Sequence, residues 1–494
     1  MLWLLAGVSL AAPAQTNAPG AWRVSLDDCI QSALEKNLDV RIARYNPPQA
    51  LADLQASYAG YNPTFTLGGQ HAFSKSGGGF DPTLGIPTVA TLNDQNSFNS
   101  SLGGVAPWGL NYTLLGNLQE NYGNAGPNST FDTSSGNAGV RLSQPLLKNF
   151  WIDQTRFNIQ VAKNRIKYTD LALKQTVMTI VTTIEQAYYD LIYARENVTV
   201  QAKAVELATQ LVVENKKRVE VGALAPLDEK QAEAQAASSQ AALIPAQSAL
   251  VMQENTMKQL ISDNYAATQP LDLQPTASLG AAIQVFDRQL SWSKGLTQRP
   301  DLLQAKLDVE RQGITLKYNF NQLFPELDIT GGYGLGASIP RGDLRQAMNE
   351  IGDGTLPSHY YGGLLTFPVG NTGARANYRK SKLAMEQYVV TLKKLEQTIM
   401  VTIDNDITQA RSSYQQVAAT RAAREYAADA LDAEQKKLES GKSTTYTVLQ
   451  MQRDLTTARG NEIQALATYN KALAQLSLDE GSTLQRLSIN VEVK

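Results

Sequence analysis

Arg218-Val219-Glu220-Val221-Gly222-Ala223-Leu224-Ala225-Pro226-Leu227-Asp228 decides how the rest of the chain is read, because it separates two helical runs. On its N-terminal side, Leu146 to Val221 contains neither glycine nor proline. A helix filling that run would be about 100 Å long at 1.5 Å per residue, well beyond an ordinary globular helix. Within it, Leu173, Val177, Ile180, Ile184, Ala187, Leu191, Ala194 and Val198 alternate steps of four and three, the spacing of a coiled-coil seam. Glycine just past a helix end accepts the left-handed conformation that caps it, and proline suits the first turn of the next helix. The stretch predicts the tip of a helical hairpin.

The pattern occurs twice. Leu438-Glu439-Ser440-Gly441-Lys442-Ser443-Thr444 ends a second run free of glycine and proline, Ala374 to Ser440, in which Leu392, Leu395, Ile399, Ile403, Ala410, Tyr414 and Val417 keep a looser seam. Pro245 lies in the returning helix of the first hairpin and should interrupt it, with a kink near Ile244.

Other segments alternate with period two: Pro63 to Phe73, Asn137 to Ser143 before Pro145, Leu327 to Tyr333, and Tyr361 to Phe367 before Pro368. Weak alternation with aromatic residues fits barrel strands that face lipid on one side and water on the other. Asn37-Leu38-Asp39-Val40 answers Arg299-Pro300-Asp301-Leu302, and Asn62-Pro63 answers Phe324-Pro325, about 262 positions on. Gln144-Pro145 answers Phe367-Pro368 and Gly222 answers Gly441 at an offset of about 220. The first half therefore carries an insertion around Phe80 to Asn121, whose pattern allows an extra hairpin turning at Pro107-Trp108-Gly109. Residues 22–262 read as one structural repeat, 263–287 as a linker, 288–482 as the second repeat and 483–494 as a tail. Asn46-Pro47 marks a helix break and restart, with Asn46 as N-cap.

Composition narrows the class. The chain has 494 residues and a net charge of −2, which offers no cationic excess for nucleic acid. Charged residues make up 18%, below the usual ~25%. Gln, Asn, Ser and Thr fill the difference, as suits surfaces wetted on more than one side. The single cysteine, Cys29, lies in an amphipathic pattern and reads as a buried core thiol, without a lipid anchor. Met1 to Ala14 is an apolar run ending in Ala12-Pro13-Ala14, a signal-peptide-like segment too short to span a bilayer. No other window offers the ~20 apolar residues of a membrane helix, so a membrane-crossing part must be a barrel. Two strand pairs per chain cannot close one, and several chains must share it. Long helices standing in water beside a shared barrel make a conduit.

At this point the residues resemble a known family. The turn Arg218 to Asp228, its second copy ending Val448-Leu449, and the joints Leu142-Ser143-Gln144-Pro145-Leu146 and Thr366-Phe367-Pro368-Val369 are similar to those of the TolC-like outer membrane efflux proteins, over roughly Leu26 to Leu484. The resemblance implies a mainly α chain with transmembrane β. It implies a homotrimer whose α-barrel of long coiled-coil helices stands in the periplasm, joined to a shared outer-membrane β-barrel of about four strands per chain, with room for an extra hairpin. It implies an efflux or type I secretion duct, docked at its helical tips by a periplasmic adaptor that an inner-membrane pump drives. Val221, Gly222, Ala223, Ser440, Gly441 and Lys442 match the family's adaptor-docking tips; the two glycines also cap helices. Asp228 matches an acidic position near the closed end of the pore, with Lys217, Arg218 and Lys437 as candidate gate partners. Thr447 and Gln450 depart from the pattern, standing where acidic residues are common, which speaks against a carboxylate ring there.

Catalytic readings fare poorly. Gly441-Lys442-Ser443-Thr444 has Lys436 where a phosphate-binding loop needs glycine, and it follows a helix. His71 and His359 are far apart in sequence and lack metal-ligand spacing, so neither a metal nor another cofactor is expected. Two rivals are a periplasmic adaptor with one coiled-coil hairpin and a structural coiled-coil protein of the envelope. The first leaves the second hairpin unexplained, and the second leaves the alternating strands unexplained. The cargo is not legible.

Overall fold

The computed structural model describes residues 21–83, 85–126 and 129–489. The signal-peptide-like segment and the last residues of the tail lie outside them. In chain order, β1 (Ala21–Val24) leads to three short helices, α1 (Leu26–Lys36), α2 (Leu38–Ala43) and α3 (Asn46–Ser57). The expected break before Asn46-Pro47 is there. Strands β2 (Thr64–Ser76), β3 (Gly79–Asp81), β4 (Ile86–Thr88), β5 (Thr91–Val105), β6 (Asn111–Gly126) and β7 (Ser129–Pro145) follow. The first hairpin is α4 (Gln154–Glu220, 67 residues) and α5 (Pro226–Ile261, 36 residues). Next come α6 (Tyr265–Thr268), β8 (Asp272–Pro275), α7 (Arg288–Gln298) and α8 (Pro300–Asn321). Then β9 (Glu326–Pro340), α9 (Leu344–Asp353) and β10 (Leu356–Thr366) lead to the second hairpin, α10 (Thr372–Glu439, 68 residues) and α11 (Thr445–Asp479, 35 residues). Helix α12 (Thr483–Arg486) ends the described chain.

The chain forms two compact units, each drawing on both sequence repeats. One comprises 21–46, 170–304 and 393–489. Here the predicted seam of α4 is the core. Leu173, Val177, Ile184, Ala187 and Leu191 are buried with Val24, Cys29, Ile30, Val40, Met257, Ile261 and Leu273. Strands β1 and β8 pair in parallel beside it. Tyr188 is fully buried, and its hydroxyl donates to the Val24 carbonyl at 3.2 Å. Burial, with Asp28 adding to it, pushes the Cys29 thiol up to about 12, so it is a core thiol and not a reactive one. In the second half Val417, Ala465, Leu466 and Tyr469 form a matching cluster. Helix α5 runs through Pro245 without interruption, which corrects the expected break. The missing N–H leaves only the Ala241 carbonyl without its helical donor, a loss one turn of a 36-residue helix can absorb.

The other unit, 47–169 and 305–392, holds a six-stranded antiparallel sheet in the order β10-β9-β7-β6-β5-β2. The four expected strands are there, with the extra hairpin that the insertion allowed. The insertion is a full hairpin in the sheet, β5 with β6, turning where Pro107-Trp108-Gly109 predicted it. That turn closes through Ala106 N–H to the Leu110 carbonyl at 2.8 Å. Below the sheet, α8 packs on the start of α4: Phe157 stacks on Tyr318 at 4.7 Å and the Asn164 amide donates to the Leu307 carbonyl.

Candidate functional site: the helical tips

Both tips close with one backbone motif. Ala223 N–H donates to the Arg218 carbonyl at 2.7 Å and Gly222 N–H to the Val219 carbonyl at 3.0 Å. Lys442 N–H donates to Lys437 at 2.9 Å and Gly441 N–H to Leu438 at 3.1 Å. These paired bonds are the Schellman closure, which needs a left-handed residue past the helix end. Gly222 has φ +74° and Gly441 φ +69°, with nothing within 4 Å of a Cβ built on either. Val221, Gly222, Ala223, Ser440, Gly441 and Lys442 are all exposed, Val221 at 79%. A large aliphatic side chain held in water at a hairpin tip is available for contact.

The returning helices are capped differently. In the first tip, Asp228 lies three residues after Ala225, and its carboxylate accepts the Ala225 N–H at 3.3 Å. In the second, Thr444 is the N-cap and its hydroxyl accepts the Thr447 N–H. Asp228 and Thr447 are equivalent in the repeat, as are Ala225 and Thr444. Among the described residues Asp228, Lys217 and Arg218 make no ion pair within the chain. Lys437 instead pairs with Glu434 at 2.9 Å.

Two ties across the tips escaped the sequence reading. Asn215, 1% exposed, donates to the Asp228 carbonyl at 3.3 Å. Its equivalent, Glu434, accepts from the Ser443 hydroxyl, and that bond, followed by Lys437, holds its carboxyl below the ordinary range. The two positions lie a repeat offset apart but their partners do not correspond, so the repeat by itself does not reveal either bond.

Further from the tips, the repeat has diverged in charge. Asn37 caps α2 and its amide donates to the Leu260 carbonyl at 2.9 Å. At the equivalent place Arg299 bonds the Asp479 carbonyl and carboxylate and pairs with Asp301. Asp406 lies beside them, pushed up to about 7 by burial and then by the Asp479 carboxylate. Its Oδ2 is buried without a donor, which a proton shared with Asp479 would satisfy. Glu185, its side chain wholly buried, is bonded by Arg486 from α12.

The sheet has a band that is apolar on one face and polar on the other, both its edge strands are open among the described residues, and a long capped hairpin follows each repeat's strands. That combination defines a subunit of a membrane-embedded duct. The model of the outer membrane efflux protein family matches residues 106–262 and 292–479, and the chain belongs to that family. It is 26% identical over 334 residues to the outer membrane efflux protein BepC of Brucella suis, covering 67% of this chain and 69% of that protein. It is 23% identical over 366 residues to the outer membrane protein TolC of Vibrio cholerae, covering 72% and 80%. The fold is similar to the Campylobacter jejuni CmeC outer membrane channel, with a TM-score of 0.68 at 17% identity, covering 94% of this chain and 90% of that one. It is also similar to the Neisseria gonorrhoeae MtrE outer membrane channel, with a TM-score of 0.64 at 17% identity over 93% and 89%. The protein is thus an outer-membrane efflux channel subunit of a Gram-negative envelope, reaching into the periplasm. Channels of this family are homotrimers that work with a periplasmic adaptor and an inner-membrane pump.

Proposed function

We propose that three copies of this chain form a passive duct that catalyses no reaction and opens when an adaptor contacts the helical tips. The observation that carries this reading is the pair of exposed, identically closed tips whose charges are largely unspent within the chain. Lys217, Arg218, Asp228 and Lys442 have no ion-pair partner among the described residues. They are free to pair with neighbouring copies in a closed state. Adaptor contact at Val221-Gly222-Ala223 and Ser440-Gly441-Lys442 then shifts the balance between closed and open tips by as much as it binds the open form better.

The test is the resting conductance of purified trimers in planar bilayers. Three exposed pairs at about 0.5 kcal/mol each amount to roughly a tenfold shift between closed and open forms. Arg218→Glu and Asp228→Lys should raise leak by about that factor. Asp228→Asn keeps an acceptor for the Ala225 N–H and removes the charge, so leak in this variant too would implicate charge and not capping. Parental conductance in all three would sink the gate assignment.

A further inference from the structure

We infer that the β5–β6 hairpin is part of the barrel wall, and that three copies pair β2 of one sheet with β10 of the next to close an eighteen-stranded pore. The inference rests on the trimeric duct proposed above and adds the width and lining of its membrane part. Its basis is the register of the sheet. Phe65, Leu102, Leu114, Val140 and Tyr333 face one another in a continuous cross-strand row over five strands. Over this band the hairpin carries the same apolar face as its neighbours and is not a loop lying outside the sheet. Only towards the rim does that face turn polar, with His71, Asn96, Glu120 and Ser134 in one row.

The opposite face is polar in the same continuous way. Gln70, Ser97, Gln119, Ser135 and Ser338 form one row, and Asn99, Asn117 and Asn137 another. The charged residues on this face, Arg141, Glu326 and Asp328, lie near the strand ends that lead to the helices. Beyond them, towards the rim, the described side chains of this face carry no charge. An apolar face turned to lipid therefore leaves a lumen of amides and hydroxyls, which sorts cargo by size more than by the sign of its charge.

The partner is a second copy because both edges are open. Among the described residues, strand β2 bonds only to β5 and β10 only to β9, and nearly all their residues are exposed. Unpaired backbone in hydrocarbon costs several kcal/mol per group. The two edges run antiparallel, span 13 and 11 residues, and each presents alternate residues to the apolar face. Either length suits a tilted strand crossing a bilayer. With strands about 4.8 Å apart and tilted by about 40°, eighteen give a wall roughly 36 Å across, against roughly 24 Å for twelve. The cross-section of the outer pore is then roughly 2.2-fold larger than four strands per copy would give.

Cryo-electron microscopy of the full-length protein in lipid nanodiscs tests this directly. A threefold particle with eighteen wall strands is expected. A threefold particle with twelve, the β5–β6 hairpins standing off the wall, would overturn this inference and leave the duct reading intact. A particle without threefold symmetry would overturn both. In parallel, Phe65→Cys combined in turn with Tyr361→Cys, Gly363→Cys or Leu365→Cys, on a Cys29→Ala background, should give covalent trimers on oxidation for at least one pair. Failure of every pair in trimers that remain intact by native mass would overturn the β2–β10 contact.

Discussion

At the first tip the returning helix takes its capping acceptor from Asp228, three residues inside; at the second it takes it from Thr444, at the boundary itself. The backbone closure before each cap is the same pair of bonds around a left-handed glycine. The same split recurs further along the helices, where neutral Asn37 in the first half answers charged Arg299 in the second. Backbone geometry has been kept in both halves, while the side chains that satisfy it differ. Geometry is fixed by the steric demands of a tight turn. A backbone N–H, by contrast, is content with any acceptor of suitable reach.

The largest test of this contrast is at the charged cluster. Arg299→Ala leaves Asp301, Asp406 and Asp479 without their cation and should cost about 3–5 kcal/mol. Asn37→Ala removes only neutral bonds and should cost about 1–2 kcal/mol. Thermal unfolding of detergent-extracted protein would show it. Equal losses at the two positions would break the claim that the halves differ in kind.

Asp406 sharpens the comparison through pH. A carboxyl whose folded value is raised keeps its proton in the folded state while the unfolded chain has lost it. Stability is then full below the unfolded value near 4 and declines as pH rises through the folded value of about 7. Asp406→Asn should therefore raise the melting temperature by a few degrees at pH 8 and have little effect at pH 4. The equivalent position in the first half is Ala187, and Ala187→Gly should show no such pH dependence.

Smaller effects come from the tips. Gly222→Ala and Gly441→Ala meet no neighbour, so each costs only the left-handed backbone strain, about 1–2 kcal/mol. Equal loosening of the two tips by hydrogen exchange is expected, and a marked inequality would show that one tip is held by something besides its turn. Smallest of all, Thr444→Ala should cost about 1 kcal/mol, read as faster exchange in the first turn of α11 with no change in α5.

The seam from Leu173 to Val198, the glycines at both tips and the turn at Pro107-Trp108-Gly109 were legible because each is written in local spacing or in a residue with an unusual backbone range. Asn215, Glu434 and Asp406 were not, since a single polar residue on a long helix reads as solvated until its neighbour across the hairpin is known. Within the chain the Asp228 carboxylate turns back to the backbone N–H of Ala225.

By itself the sequence determined the two hairpins, their ends, the alternating strands and the membership of a duct-forming class, because helical and strand periods are set by one chain's own geometry. Tertiary structure alone decided that the inserted hairpin joins the sheet, giving six strands, and which side chains close each tip. Strand pairing and hydrogen-bond partners depend on residues distant in sequence, and their cost or gain is fixed only once those residues meet.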